Sequence, residues 1–228
     1  MLLRWAYDWL KNKIKHKKTI QQFNARFYAK NTHNFTHPAN IFNLDNVTIG
    51  KATYGVIEVF DYENKNAKLI IGDFCSIALN VRFLTGGGHN IYNFSTYPFR
   101  AYFTQEPELG PTKGATIIGD DVWIGRDCLI CSGAHIPRGC IVGAGSVVRG
   151  KFEPYSIIIG NPARCIKKRF SQDIISILET IDFATMTHEQ ITQNLNLLYT
   201  QVDIHIAQEL QHALKSSHHC EQMQKCVK

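Results

Sequence analysis

Ile118-Gly119-Asp120-Asp121-Val122-Trp123, Ile124-Gly125-Arg126-Asp127-Cys128-Leu129 and Ile130-Cys131-Ser132-Gly133-Ala134-His135 are three consecutive frames of six residues. The rhythm runs on through Ile136-Pro137-Arg138-Gly139-Cys140-Ile141 and Val142-Gly143-Ala144-Gly145-Ser146-Val147, and Val148 opens another frame. A β-branched aliphatic residue opens each frame, and the fifth slot is always small: Val122, Cys128, Ala134, Cys140, Ser146. An amphipathic helix needs an apolar period near 3.6 and a half-buried strand a period of two, so a strict six fits neither. Six is the period of a β-solenoid with flat faces, each frame supplying one short strand and one tight corner. The opening aliphatics then stack as a ladder inside the prism. The small fifth residue lies beside them, and Gly or Asp serves the corner.

Upstream, the same frame reads Ile49-Gly50-Lys51-Ala52-Thr53-Tyr54, followed by Gly55, a β-rich run from Val56 to Phe60 and a turn from Asp61 to Asn66. It resumes at Ile71-Gly72-Asp73-Phe74-Cys75-Ser76 and Ile77-Ala78-Leu79-Asn80-Val81-Arg82, then breaks at Thr85-Gly86-Gly87-Gly88. From Gly86 to Lys113 the rhythm is absent, and it returns in phase at Ile118. A coil must close on both sides of an insertion, so residues 86–113 are expected to leave the prism as an extruded loop. Long loops in compact domains usually carry function.

The solenoid is expected over 44–168, between two helical flanks. Residues 1–30 carry eight Lys or Arg against one acid, a net +7, whereas the rest of the chain nets −1. The basic character is local, and it does not mark a nucleic-acid binder. Leu3, Tyr7, Leu10 and Ile14 recur at spacings of three or four, with Lys11, Lys13, Lys15, Lys17 and Lys18 crowding the rest. That pattern predicts a basic amphipathic helix within the segment 1–43, ahead of a polar, turn-rich linker. Two readings stand for it: contact with an anionic membrane surface or polymer, or packing on the solenoid's end with a solvated charged face. Beyond the solenoid, residues 169–215 should hold two helices, roughly 171–182 and 187–214, which cap the open end or lie along a face. The last residues, 216–228, read as a disordered tail. No apolar run is long enough to span a bilayer, and the N-terminus lacks a secretory cleavage pattern. A cytoplasmic location follows, peripheral to the membrane's inner face if the basic helix binds lipid.

Seven cysteines include the formal C-x-x-C of Cys128-Leu129-Ile130-Cys131. Yet Cys75, Cys128 and Cys140 all occupy the fifth slot, a packing position. No second pair stands at zinc spacing, so packing thiols are expected rather than a metal or redox site. His89 is the candidate for chemistry. It follows three glycines at the point where solenoid gives way to loop, and glycine lets backbone approach a ligand closely. A neutral imidazole can take a proton from an acceptor hydroxyl at cell pH. A structural histidine completing a corner hydrogen bond is the competing reading.

Residues 68–168 resemble the xenobiotic acetyltransferase branch of the hexapeptide-repeat acyltransferases, which includes chloramphenicol and streptogramin acetyltransferases and many sugar O-acetyltransferases. The residues that carry the resemblance are Ile71-Gly72-x-Phe74-Cys75-Ser76-Ile77, His89 with Ser95-Thr96-Tyr97-Pro98-Phe99, and Lys113-Gly114-x-Thr116-Ile117-Ile118-Gly119-x-Asp121-Val122-Trp123-Ile124-Gly125. Gly143-Ala144-Gly145-Ser146, Pro154-Tyr155 and Gly160-Asn161-Pro162-Ala163 complete them. The resemblance implies a mainly β, left-handed parallel β-helix, an acetyl-CoA co-substrate, no metal, and a homotrimer with active sites between neighbouring solenoids. It implies His89 as general base for direct attack of an acceptor on the thioester, with a backbone N–H near Gly125-Arg126 serving the oxyanion. Trp123 would lie near the thioester, or else cover the coil. Gly143 and Ala144 would let pantetheine lie close, and Lys167 and Lys168, after the Pro162-Ala163 turn, would meet CoA phosphates or simply solvate a basic turn. Tyr97, Phe99 and Tyr102 are the acceptor-contact candidates.

Departures from the branch concern the acceptor. Gly88 stands where Asn is common, the stretch from Phe99 to Pro111 is short, and Ile181-Asp182-Phe183 replaces an aromatic pair. The expected reaction is therefore O-acetylation of a carbohydrate, a unit of a bacterial surface polysaccharide. The alternatives are acetylation of an antibiotic or N-acetylation of an amino nucleotide sugar. A zinc-dependent trimer would need three histidines on neighbouring coils, but only His89 and His135 lie in the repeat region. A pure scaffold would not bind CoA.

Overall fold

The hexads close into a parallel β-prism, in a computed structural model that describes residues 2–108 and 110–214, with side chains from residue 15 onward. The expected tail, 216–228, lies outside the described residues. A first helix, α1 (Leu2–Lys30), precedes the strands. They begin with β1 (Phe35–Pro38), β2 (Val47–Ile49), β3 (Tyr54–Phe60), β4 (Leu69–Ile71), β5 (Ser76–Ile77) and β6 (Arg82–Leu84). After the insertion come β7 (Thr116–Ile118), β8 (Trp123–Ile124), β9 (Leu129–Cys131), β10 (His135–Ile136), β11 (Ile141–Val142) and β12 (Val147–Val148). The hairpin β13 (Ser156–Gly160) and β14 (Ala163–Lys168) ends the coil.

Three faces result. The first stacks β2, β4, β7 and β10; the second stacks the start of β3, then β5, β8, β11 and β13; the third stacks the end of β3, then β6, β9 and β12. Every one of these pairings is parallel, and Trp123 stacks beside Ile141, three frames further on. Ser76 pairs with Trp123 and Leu69 with Thr116, so the coil closes in register across the insertion. The fold is a left-handed parallel β-helix.

The ladder explains the register. Ile118, Ile124, Ile130, Ile136, Val142 and Val148 are all buried, with Ile49, Ile71, Ile77 and Phe83 continuing them upstream. Fifth-slot residues Cys75, Cys128, Ala134, Cys140 and Ser146 are fully enclosed beside that ladder. The left-handed backbone conformation falls on the fourth slot, and the residue type there is wider than Gly or Asp. Asp121, Asp127 and Gly145 adopt it, but so do Ala52, Phe74 and Asn80, with φ between 52° and 71°. A non-glycine residue pays about 1–2 kcal/mol there, a strain that closure of the coil on both sides holds in place. Glycine at the second slot answers a different demand, close contact between coils: a Cβ on Gly125 would sit 2.7 Å from the Ala144 nitrogen.

The flanks add one element and correct one expectation. Within the polar, turn-rich linker, Phe35–Pro38 pairs parallel with β3 as an added outer strand. The long helix expected over 187–214 is three: α3 (His188–Gln193), α4 (Leu195–Leu198) and α5 (Ile204–Ala213), after α2 (Gln172–Leu178). Polar side chains compete with the helix at the breaks. The Asn194 amide donates to the Gln190 carbonyl at 2.8 Å, and the Asp203 carboxylate accepts from the Ile206 N–H at 2.8 Å.

These helices lie along the solenoid rather than over its end. The ridge where the first face turns into the second carries Lys51, Phe74, Asp121, Arg138 and Tyr155, one from each successive coil, and the segment after β14 runs back along it. Arg169 reaches the Asp121 carboxylate at 3.1 Å, and Arg138 donates to the carbonyls of Glu179 and Ile181 with its guanidinium over the Phe183 ring. Lys51 donates to the carbonyls of Ala184 (2.7 Å) and Met186 (3.0 Å). At the other end, Phe23 and Phe27 of α1 bury against Phe42 and close the first coil. The Lys30 ammonium donates there to the carbonyls of Leu44 and Val47.

Candidate active site

The two remaining ridges hold the residues singled out for chemistry. Where the second face turns into the third lie Gly125-Arg126 after β8 and Gly143-Ala144 after β11. Where the third face turns into the first, the insertion departs after β6 and carries His89. The mouth of that loop is pinned: Thr112 Oγ1 donates to the Thr85 carbonyl at 3.0 Å and pairs with Ser132 Oγ at 2.8 Å, while the Asn64 amide donates to the Gly110 carbonyl at 2.8 Å. A long insertion is thus anchored to the coil at both of its ends.

His89 Nδ1 lies 2.6 Å from the Thr96 carbonyl oxygen. A carbonyl only accepts, so the neutral ring carries its proton on Nδ1 and presents the Nε2 lone pair. The ring borders an open cleft of about 1900 Å³ between loop and coil, and Lys113, Arg149 and Arg164 border the same cleft. Among the described residues, neither the Lys113 ammonium nor the Arg149 guanidinium has an ion-pair or hydrogen-bond partner. Both cations act on the half-buried Cys131 thiol, partly opposing the rise that burial gives its pKa. Sequence reasoning passed over these arginines. Each directly follows a buried wall residue, Val148 or Ala163, where the chain turns outward, and that position was the available signal.

On the other ridge, the Gly125 N–H is engaged by the Val142 carbonyl at 2.8 Å, leaving the adjacent Arg126 N–H without an acceptor among the described residues. The Arg126 side chain pairs with Asp127 at 3.5 Å in an exposed contact. Trp123 stands on the second face, 54% exposed. Below the ridge, the Gly160 N–H donates to Ser146 Oγ at 3.1 Å and leads into an exposed turn at Pro162, after which Ala163 is buried. Lys167 is exposed, whereas the Lys168 ammonium is held by the Pro154 carbonyl at 2.7 Å. Within one chain, therefore, His89 and the Arg126 and Ala144 pair belong to different ridges, with Trp123 on the face that leads into the latter.

The loop gathers the predicted acceptor aromatics. Tyr97 lies 4.9 Å from Phe99 and 5.5 Å from Tyr102 between ring centroids, and Phe103 joins them at 5.9 Å from Phe99. All four rings are largely exposed, an apolar platform beside the cleft. The thiols of Cys75, Cys128 and Cys140 instead point into the wall, within hydrogen-bond reach of the carbonyls of Gly119, Gly143 and Glu153. Burial raises the pKa of each. Among the described residues no cluster of three or more His, Cys, Asp or Glu could hold a metal.

The sequence profile described as "Bacterial transferase hexapeptide (six repeats)" matches residues 115–150. A probable macrolide acetyltransferase of Lysinibacillus sphaericus is 41% identical over 150 residues, which cover 63% of this chain and 83% of that protein. A chloramphenicol acetyltransferase of Klebsiella aerogenes is 38% identical over 139 residues, covering 58% of this chain and 66% of its own length. The crystal structure of a maltose O-acetyltransferase from Clostridium difficile 630 superposes with a TM-score of 0.50 at 26% identity, covering 71% of this chain and 88% of that one.

Proposed function

The chain belongs to the bacterial hexapeptide-repeat acetyltransferases, and on that footing we propose that it transfers acetyl from acetyl-CoA to a carbohydrate hydroxyl, such as a unit of a bacterial surface polysaccharide. The observation that carries the reading is the bond from His89 to the Thr96 carbonyl, which leaves Nε2 as the free ring nitrogen of a residue that borders the cleft. Acetyl-CoA, when bound, supplies the acetyl group already activated as a thioester. Nε2 then takes the hydroxyl proton as the acceptor oxygen attacks the thioester carbonyl, and the unpaired Arg126 N–H is the donor for the developing negative charge. Collapse of the adduct breaks the C–S bond, CoA leaving as a thiol with the proton returned from the imidazolium.

Anionic phosphates suit the unpaired Lys113 and Arg149, together with Arg164. Lys167 remains available to them, while the small Gly143 and Ala144 leave room along the ridge. Because His89 and Arg126 stand on different ridges of one chain, the reading requires a neighbouring copy to bring its second ridge to this chain's loop, as a homotrimer would. The Tyr97, Phe99 and Tyr102 platform offers flat apolar faces to a sugar ring. Free cysteines and a CoA donor suit a cytoplasmic site of action.

The similarity to the maltose O-acetyltransferase supports a sugar acceptor. The macrolide and chloramphenicol relatives favour a second reading, in which the acceptor hydroxyl belongs to an antibiotic. Incubation with labelled acetyl-CoA and a panel of oligosaccharides, surface polysaccharide, amino nucleotide sugars, chloramphenicol and a macrolide separates them: the sugar reading expects label on glycan hydroxyls. His89→Ala should lower kcat by about 10²- to 10⁴-fold, with KM for acetyl-CoA nearly unchanged. Near-wild-type turnover by a well-folded variant ends the proposal.

A further inference from the structure

We propose that α1 is a membrane-surface anchor, a helix that lies on an anionic phospholipid leaflet and tethers the solenoid to it. The helix is continuous over 29 residues, about 43 Å at 1.5 Å per residue, and over residues 15–30, whose side chains are described, its burial against the solenoid comes at Phe23 and Phe27. Phe23 and Phe27 are its only buried residues among those whose side chains are described, and residues 15–22 are all exposed. Lys15, Lys17 and Lys18 lie in that exposed stretch. Beside them, the exposed Ile20 and Ile41 border one apolar groove with Phe23 and Pro38. Lysines next to uncovered apolar side chains are what an interfacial surface requires.

The sequence of the helix fits the same partner. Leu2, Leu3, Trp5, Tyr7, Trp9, Leu10 and Ile14 alternate with Arg4, Lys11 and Lys13, and two of the chain's three tryptophans fall within its first nine residues. Tryptophan and tyrosine favour the level of lipid headgroups. Charge is partitioned the same way: +7 over residues 1–30 against −1 for the remainder, so this segment alone is attracted to an anionic leaflet. No helix among the described residues is long and apolar enough to cross a membrane, so the geometry is one of lying on the surface. A soluble polyanion would use the lysines but would leave the tryptophans and leucines without a partner, which is why lipid is preferred. The inference does not depend on acetyl transfer, and neither does its test.

The test uses the full chain in flotation with vesicles of phosphatidylcholine and phosphatidylglycerol at a 70:30 ratio, and with phosphatidylcholine alone. Binding is expected to the anionic vesicles only, weakening with added salt. Lys15→Gln/Lys17→Gln/Lys18→Gln should weaken it roughly 100-fold, from about fivefold per basic residue near the surface. Tryptophan emission should shift to the blue on binding, and the Trp5→Phe/Trp9→Phe variant should bind but lose the shift. Four results would each overturn the proposal: no binding, equal binding to neutral vesicles, an unaffected triple variant, or a blue shift that persists without Trp5 and Trp9. Displacement by soluble polygalacturonate in the absence of any emission shift would assign the helix to an anionic polymer instead. A fall in oligomeric mass on deleting residues 1–20, without vesicle binding by the intact chain, would assign it to a second copy.

Discussion

His89 Nδ1 sits 2.6 Å from the backbone carbonyl of Thr96, seven residues further along the same loop. The loop thereby sets the tautomer of its own histidine, and no second residue is needed to orient the ring. Ring-¹⁵N-labelled protein should show that the neutral His89 ring carries its proton on Nδ1 and leaves Nε2 unprotonated. An Nε2–H tautomer in the NMR spectrum would remove the basis for the proposed general base.

Arg149 and Arg164 should act on the co-substrate rather than on the chemistry. Either Arg→Ala change removes charge-assisted contacts to phosphate, so KM for acetyl-CoA is expected to rise roughly 10- to 100-fold, the equivalent of about 1.5–3 kcal/mol. Steady-state kinetics should show kcat within a few-fold of wild type. A selective loss of kcat would instead place these side chains at the reacting atoms.

Gly125 and Gly145 should respond oppositely to alanine, relative to what their conformations suggest. Gly145 has φ +71° and open space where a Cβ would go, so Gly145→Ala costs only backbone strain, about 1–2 kcal/mol. Gly125 has no positive φ, but its Cβ would meet the neighbouring coil's backbone at 2.7 Å. Backbone cannot rotate away, so Gly125→Ala should cost at least as much as core overpacking, about 1–3 kcal/mol, and should also disturb the Arg126 N–H. Urea melts of both variants, with acetyl-CoA kinetics alongside, would check the order.

Cys75 and Cys140 should resist alkylation in the folded protein. Their thiols are pushed up to about 12 and about 11 by burial, and the thiolate is the reactive form. With iodoacetamide at pH 8, peptide mass spectrometry should find the exposed Cys165 modified and Cys75 and Cys140 intact until denaturant is added. Rapid native labelling of Cys75 would contradict its placement in the wall.

The coil was legible because each hexad states its own geometry. An aliphatic opener and a small fifth residue cannot be exchanged without leaving a void or a clash, so Ile118 to Val148 announce both core and register. The insertion was legible as an interruption, and His89 as the imidazole at its edge. What escaped was decided by contacts distant in sequence. Nothing in Phe35-Thr36-His37-Pro38 alone indicates a strand, because its partner is β3 and not its own neighbours. Arg149 and Arg164 went unremarked in the sequence, because it is the cleft that joins them to His89. Asn194 and Asp203 break an otherwise helical apolar pattern through local polar bonds that periodicity does not weigh.

Solenoids ordinarily unravel like a rope from either end, because each coil touches only its neighbours. Here the chain after β14 doubles back along one ridge, so Arg138 near the last coil and Lys51 in the first grip the same returning segment, whose own Arg169 holds Asp121 of the coil between them. The molecule is in effect a loop tied to its own beginning. Fraying of the first coil would have to release the final helices, and loss of those helices would loosen the first coil. Domain cooperativity thus becomes a property of the whole contour rather than of adjacent repeats, and Arg138→Ala should uncouple the two ends, turning one sharp thermal transition into two.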